Sequence, residues 1–214
     1  MIRGAKHVLF TLMLLLGLNA HAALKVGVDY DVLPRPITSE SPGKIEVVEL
    51  FWYMCGHCYN TQQPLNKWRA SQPKDVAFRP MHVMYGGRSD LEGHARLYLA
   101  LKGMGKLDQM QDRVFAAINE QHVELRREEV LVKWLVDQGI PVDQFMNYYK
   151  GFSVGAQLSE LQHICMDNNI GKTPTFVVAG KYRLIPGEAQ SHEEMFAKLS
   201  ELVAFARQAE SHKK

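Results

Sequence analysis

The sequence predicts an α/β protein in which one sheet is built from both ends of the chain, around an inserted all-helical module. Apolar runs typical of strands lie before residue 86 and after residue 169. The segment between them has helical periodicity throughout. A pair of cysteines, Cys55 and Cys58, directly follows an apolar strand-like run and opens a segment compatible with a helix.

The composition is that of an ordinary globular protein. The chain has 214 residues, of which 46% are hydrophobic and 22% charged, enough for one large domain or two small ones. Without the basic residues of the N-terminal segment, 23 basic residues balance 23 acidic ones. This balance indicates neither a nucleic-acid-binding protein nor one bound to an anionic membrane surface.

Residues 1–22 have the layout of a secretory signal peptide. Arg3 and Lys6 precede an apolar run over residues 8–18, and small residues lead to a cleavage position after Ala22. A permanent membrane anchor is the alternative, but the run falls short of the ~20 residues that span a bilayer. We therefore expect an exported protein, in a compartment where disulfides can persist.

Residues 23–85 predict the first part of the sheet. The expected elements are one edge strand and a loop within residues 23–44, a buried strand over 45–52, a helix from Cys55 to about Ala70, and a strand over 76–83 whose regular pairing ends at Pro80. A strand, a helix and a strand in this order form a right-handed βαβ unit with parallel strands.

The rest of the chain predicts helices and then strands. Residues 86–169 contain five apolar stripes with helical spacing, near residues 91–99, 107–118, 130–135, 142–149 and 154–165. Residues 170–214 predict an antiparallel hairpin and a final helix that starts at the capping box of Ser191 and Glu194. The third cysteine, Cys165, falls on an apolar stripe, so we interpret it as a core residue rather than a redox thiol.

The spacing of Cys55 and Cys58 indicates redox chemistry. A cysteine at a helix N-terminus gains stabilisation of its thiolate from unpaired N–H groups and the helix dipole. A structural disulfide, half a zinc site and a haem attachment site are the alternatives. Zinc needs more ligands than this segment offers, and Tyr59 stands where haem attachment needs a histidine. We expect Cys55 to be the attacked or attacking thiol, Cys58 to resolve, and no metal to bind.

Two further polar residues accompany the cysteines. His57 lies between them and could donate a hydrogen bond or positive charge to the Cys55 thiolate, although it could also be an incidental loop residue. Glu49 lies six residues before Cys55 in an otherwise apolar strand. A buried carboxylate must be paired, protonated or functional. We expect Arg79 to be its partner, unless Glu49 reaches solvent from the strand end.

With these motifs, the chain resembles the DsbA-type periplasmic thiol:disulfide oxidoreductases of the thioredoxin superfamily. The resemblance is carried by Glu49, by the sequence Cys55-Gly56-His57-Cys58, by Thr173-Pro174 at a strand entry, and by the long helical insert. It covers residues 23–210. Gly56 replaces the proline usual in that family, and Thr173 replaces a common valine, so both positions look more like those of disulfide isomerases.

The resemblance implies a thioredoxin fold and a redox-active disulfide that needs no other cofactor. It implies that the protein introduces disulfides into reduced, unfolded exported proteins of the periplasm, and that a membrane quinone-linked partner of the DsbB type reoxidises it. Glu49 would lie beneath the active site and assist proton transfer. A cis bond before Pro174 would present the backbone of Thr173 to substrate. We expect a monomer.

Two alternative functions remain. Gly56 and Thr173 favour an isomerase or a reductase of the same fold. A chaperone-like binding module would instead use the apolar side chains around the cysteines as a surface for unfolded proteins. These side chains, which could equally belong to the core, are Trp52, Tyr53, Met54 and Tyr59.

Overall fold

A mixed sheet organises the part of the chain that the computed structural model describes, residues 24–187 and 189–211. The predicted signal peptide, residues 1–22, lies outside these residues. The elements are β1 (Tyr30–Val32), β2 (Ile45–Phe51), α1 (Gly56–Ser71), β3 (Val76–His82), α2 (Ser89–Gly103), α3 (Leu107–Asn119), α4 (Glu128–Asp137), α5 (Val142–Tyr149), α6 (Phe152–Asp167), β4 (Thr175–Val178), β5 (Tyr182–Leu184) and α7 (His192–Ser211). None of these helices is both long and apolar enough to cross a membrane.

The five strands have the order β1-β5-β4-β2-β3. The β2–β3 pair is parallel, and the β2–β4, β4–β5 and β1–β5 pairs are antiparallel. The predicted single sheet from both ends of the chain is therefore confirmed, with the five helices α2 to α6 inserted between β3 and β4. This is a thioredoxin fold with a helical insertion.

The interior strand β2, between β4 and β3, is buried along its whole length and separates two hydrophobic clusters. Val48 and Leu50 face the cluster formed with the helical module. Ile45 and Val47 face the cluster formed with α1 and α7. Because side chains alternate along a strand, Glu49 belongs to the face covered by α1.

One expectation about the strands is confirmed and one was wrong. The expected edge strand within residues 23–44 is Tyr30–Val32, at one end of the sheet. Val26 makes only an isolated bridge to it, because the chain turns at Gly27 (φ +78°), whose N–H donates to the Tyr30 carbonyl at 2.8 Å. Pro80 does not end β3, which continues to His82. Since β3 lies at the sheet edge, it tolerates a residue without an N–H group.

The side chains around the cysteines divide between core and surface. Tyr53 is fully buried, whereas Met54 is 39% exposed. Trp52 and Tyr59 are half-buried and pack against the cluster of the helical module. Cys165 is 3% exposed in the same cluster, which confirms that it is a core residue.

Helix α7 holds α1 against the sheet. Its N-terminus is capped as predicted, with the Glu194 N–H donating to Ser191 Oγ at 3.1 Å. Along its length, Trp68 of α1 stacks on Phe196 with ring centroids 5.8 Å apart, and the indole N–H of Trp68 donates to Ser200 Oγ at 2.9 Å. Helix α1 is thereby fixed, and with it the cysteines at its N-terminus.

Candidate active site

Cys55 caps the N-terminus of α1. Its N–H donates to the Trp52 carbonyl at 2.9 Å in the turn after β2, and its sulfur accepts the N–H of Cys58 at 3.3 Å. Both cysteines are free thiols, Cys55 half-buried and Cys58 fully buried. The first sulfur of the motif is therefore accessible and the second is protected.

The surroundings of the two thiols drive their acidities apart. A hydrogen bond from the Cys58 thiol is the largest influence on Cys55. Together with Thr173 and the N–H groups of Cys58 and His57, it lowers the pKa of Cys55 to about 5 against the opposing effect of burial. Burial raises the pKa of Cys58 far above its ordinary value, and Cys55 and Glu49 add to this effect. At neutral pH the reduced site holds a Cys55 thiolate and a protonated Cys58.

The loop before β4 brings Thr173 and Pro174 to the cysteines. The Thr173–Pro174 bond is cis, as expected. The Cys55 sulfur lies 3.3 Å from the Thr173 carbonyl oxygen. When Cys55 is a neutral thiol, it can donate a hydrogen bond to this oxygen. The backbone of this loop therefore borders the accessible sulfur.

Glu49 is buried, and no described residue forms an ion pair with it. Its side chain is 0% exposed, and neither carboxylate oxygen makes a hydrogen bond to a described residue. Burial raises the pKa of Glu49 to about 8, against weaker opposing effects of Gln62 and Arg69. The carboxyl group is thus mainly protonated at neutral pH and titrates close to it.

The expected pairing of Glu49 with Arg79 was wrong. Arg79 lies opposite Val48, one residue out of register with Glu49, so it points to the other face of the sheet. There it forms an ion pair with the buried Glu46, with nitrogen and oxygen 2.8 Å apart. Pro80, opposite Glu49, offers no charge.

His57 contributes through its backbone rather than its ring. Its N–H is one of the groups that lower the pKa of Cys55. The side chain is exposed, and within the described residues no hydrogen bond joins the imidazole to the Cys55 sulfur. The expected hydrogen bond from the His57 ring to the Cys55 thiolate is therefore not seen among the described residues.

Sequence reasoning missed two polar features beside the site. Gln62 donates from Nε2 to the Cys58 carbonyl at 3.2 Å, and its spacing of four residues from Cys58 was the available signal. Behind Tyr53, two histidines that looked ordinary in the sequence, His82 and His94, are buried with one ring nitrogen each unpaired among the described residues. No sequence signal placed them together, because they belong to β3 and α2.

The described residues contain no group of three or more His, Cys, Asp and Glu side chains arranged to hold a metal ion. The site as built offers a nucleophilic thiolate, a protected second thiol and a carboxyl group that titrates near neutrality. This combination suits the exchange of thiols and disulfides.

Comparison with known proteins leads to the same chemistry. A family model described as a DSBA-like thioredoxin domain matches residues 46–199. The thiol:disulfide interchange protein DsbA of Azotobacter vinelandii is 34% identical over 189 residues, which cover 88% of this chain and 87% of that protein.

Solved structures agree in fold. The crystal structure of Pseudomonas aeruginosa DsbA matches with a TM-score of 0.77 and 33% identity, over 88% of this chain and 97% of the other. That of the oxidoreductase DsbA from Xylella fastidiosa matches with a TM-score of 0.76 and 30% identity, over 86% and 98%. The chain therefore belongs to the family of DsbA-like thioredoxin-fold thiol:disulfide oxidoreductases.

Proposed function

We propose that this oxidoreductase donates the Cys55–Cys58 disulfide to reduced, newly exported proteins in the periplasm. The observation that carries the proposal is the contrast between a Cys55 pKa of about 5 and a raised Cys58 pKa. Groups that stabilise the Cys55 thiolate stabilise the reduced enzyme. The disulfide is then a stronger oxidant. Each ~1.4 kcal/mol by which the reduced enzyme is stabilised raises its reduction potential by about 30 mV.

The exchange follows from the accessibility of the two sulfurs. A client thiolate attacks the half-buried Cys55 sulfur, the Cys55–Cys58 bond breaks, and Cys58 leaves with the electron pair. Glu49 donates its proton to the Cys58 thiolate. A second client thiolate then attacks the client sulfur of the mixed disulfide, which forms the client disulfide and releases the Cys55 thiolate. The low pKa of Cys55 makes it a good leaving group in this step.

The loop of Thr173 and Pro174 is proposed to hold the client chain. The Thr173 carbonyl oxygen borders the reacting sulfur at 3.3 Å. A client segment that extends from its cysteine can donate backbone N–H groups there, as an added strand does at a sheet edge. Such contacts do not depend on the client sequence, which suits an enzyme with many substrates.

The reduced enzyme must be reoxidised before another cycle. We propose a quinone-linked membrane protein of the DsbB type as the oxidant, with electrons leaving through the Cys55–Cys58 pair alone. Thiol–disulfide exchange needs no metal or organic cofactor in the enzyme itself. A monomer with one accessible, half-buried cysteine sulfur can serve both clients and reoxidase in turn.

The test is the equilibrium of the Cys55–Cys58 disulfide with a glutathione buffer. We expect a reduction potential less negative than about −200 mV, above the glutathione range. A value near the ~−270 mV of thioredoxin would overturn the proposed direction in favour of the isomerase or reductase that Gly56 and Thr173 suggest. A variant with both cysteines changed to serine tests the binding-module alternative, because client maturation should cease in it.

A further inference from the structure

The peptide unit between His57 and Cys58 is hydrogen-bonded at both ends. Its N–H, that of Cys58, donates to the Cys55 sulfur at 3.3 Å. Its carbonyl, that of His57, accepts the hydroxyl of Thr61 at 2.7 Å. Hydrogen bonds in series polarise one another, so an amide whose carbonyl accepts a hydrogen bond is a stronger N–H donor. One peptide unit therefore connects the Thr61 hydroxyl with the reacting sulfur.

His192 extends this series of hydrogen bonds to a second helix. It is the first residue of α7, and its ring Nε2 lies 3.3 Å from the Thr61 hydroxyl oxygen. Thr61 gives its only hydroxyl hydrogen to the His57 carbonyl, so its oxygen has only lone pairs left for another partner. Nε2 must then carry the hydrogen of this contact, whether the ring is neutral or charged. The stacking of Trp68 on Phe196 joins the same two helices further along, which holds His192 in place.

Thr61 differs from an ordinary helical threonine. Such residues commonly donate to the carbonyl four residues earlier, and that bond alone would carry no function. Thr61 has His192 as a second partner, and the peptide whose carbonyl it reaches donates to the Cys55 sulfur. Thr61 is also 2% exposed, and hydrogen bonds are electrostatically stronger in such surroundings than in water. The interior of the series is therefore shielded, and its outer end is the exposed His192.

We propose that Thr61 and His192 are positioning residues that stabilise the Cys55 thiolate through the His57–Cys58 peptide. Every donor of the series points toward the sulfur, so the negative charge of the thiolate strengthens each link. The disulfide makes no such demand, because its sulfur carries no charge. The series therefore stabilises the reduced form over the oxidised form. The inference rests on the proposed function only for its consequence, that a stabilised thiolate makes the disulfide a better oxidant.

The experiment measures the equilibrium of the Cys55–Cys58 disulfide with glutathione, and the pKa of Cys55 from the ultraviolet absorbance of its thiolate. Thr61→Val removes the hydroxyl and keeps the shape of the side chain. Since a hydrogen bond gains about 10–30% in strength from a polarising neighbour, we expect the disulfide of this variant to be about threefold less oxidising. That factor lowers the reduction potential by about 14 mV. The pKa of Cys55 should rise by about 0.5, which is the same factor of three.

Further variants test each link of the series. Thr61→Ser keeps the hydroxyl, and His192→Gln keeps an N–H donor, so both should retain the potential and the Cys55 pKa of the wild type. His192→Leu should shift both quantities in the direction of Thr61→Val but by less, because His192 is one link further from the sulfur. Added to Thr61→Val, it should cause no further shift, since the series is already broken. His192 is exposed, so His192→Leu keeps the test available if Thr61→Val does not fold.

Ser71→Ala is the matched control for a lost hydroxyl in α1. Ser71 donates to the Trp68 carbonyl at 2.7 Å at the far end of the helix, so its loss should affect stability and leave the potential unchanged.

The outcomes distinguish this inference from the function on which it rests. An oxidising wild type, together with a Thr61→Val variant of the same potential and Cys55 pKa, would overturn the role of Thr61 and His192 and leave the proposed function intact. A wild-type potential near that of thioredoxin would overturn the proposed direction of exchange. A shift between wild type and Thr61→Val would in that case still support the hydrogen-bond series.

Discussion

The Cys55 sulfur and the Thr173 carbonyl oxygen lie 3.3 Å apart although 118 residues separate them in the chain. The helical module is inserted between these two positions. The contact exists because β4, which follows Thr173, pairs with β2, which precedes Cys55. The strand pairing therefore assembles the reacting sulfur and its neighbouring backbone from the two halves of the chain.

The unfolding free energy of the reduced protein should rise relative to that of the oxidised protein as pH increases from about 5 to about 8.5. The pKa of Cys55 is about 5 in the folded protein and ~8.5 for an unfolded cysteine. In this window the unfolded chain holds more protons, so stability rises with pH, whereas the disulfide form has no thiol to titrate. Urea unfolding of both forms at several pH values measures the gap. A gap that stays constant over the window would contradict the low pKa, and reduced Cys55→Ser should lose the increase.

The change in unfolding free energy caused by Glu49→Gln should be more favourable at pH 8 than at pH 5. The pKa of Glu49 is about 8 when folded and ~4.3 when unfolded, so the native state holds the extra proton and loses stability as pH rises between these values. The slope is at most about 1.4 kcal/mol per pH unit. Unfolding of the oxidised variant at both pH values tests this, and the exposed Glu160→Gln serves as the control with no such difference.

In exchange assays the same Glu49→Gln should be slower by about 100-fold, the lower range for a lost acid–base group.

His82 and His94 should make the protein sensitive to acid. Burial lowers the pKa of His82 to about 3 and that of His94 to about 4, whereas unfolded histidines titrate near 6.5. Below pH ~6.5 the unfolded chain binds more protons than the native state, so the protein loses stability as the pH is lowered.

Replacing His82 with phenylalanine should remove up to one proton, or about 1.4 kcal/mol per pH unit, from that slope. Phenylalanine suits the site because the rings of Phe51, Tyr53 and Tyr98 surround it. Chemical unfolding between pH 6.5 and 4.5 gives the slope, with the exposed His163→Gln as the reference. An unchanged slope in His82→Phe would show that His82 is charged in the native state.

Gly56→Pro should stabilise the oxidised protein by about 0.4–1 kcal/mol. Gly56 is the first residue of α1, where proline is favoured, and a Cβ atom there meets no atom within 4 Å. Cys55 before it is already extended, as a residue that precedes proline must be. The N–H groups that stabilise the Cys55 thiolate belong to Cys58 and His57 and are retained.

The matched control for this substitution is Gly155→Pro. Gly155 has equally open surroundings but lies inside α6, where proline costs about 3 kcal/mol. Thermal unfolding of both variants gives the comparison. A loss of stability in Gly56→Pro would mean that the Gly56 N–H makes a contact that the native site requires.

Much of the fold followed from local patterns in the sequence. The five helices of the insert and the burial of Cys165 were predictable because apolar residues at helical spacing must face a core. The place of Cys55 at the N-terminus of α1 was predictable because a strand-like run stops at it and a helix-compatible segment follows. The capping contact between Ser191 and Glu194 is likewise set by residues close in the chain.

The sequence by itself determined that a reactive cysteine pair begins a helix and that an acidic residue lies in the strand before it. Only the tertiary structure decided what surrounds them. The one-residue register between β2 and β3 sends Arg79 to Glu46 and leaves Glu49 without a partner among the described residues, and the pairing of β4 with β2 brings Thr173 to Cys55. Strand register and helix packing depend on the fit of the whole core, so neighbouring residues in the chain do not encode them.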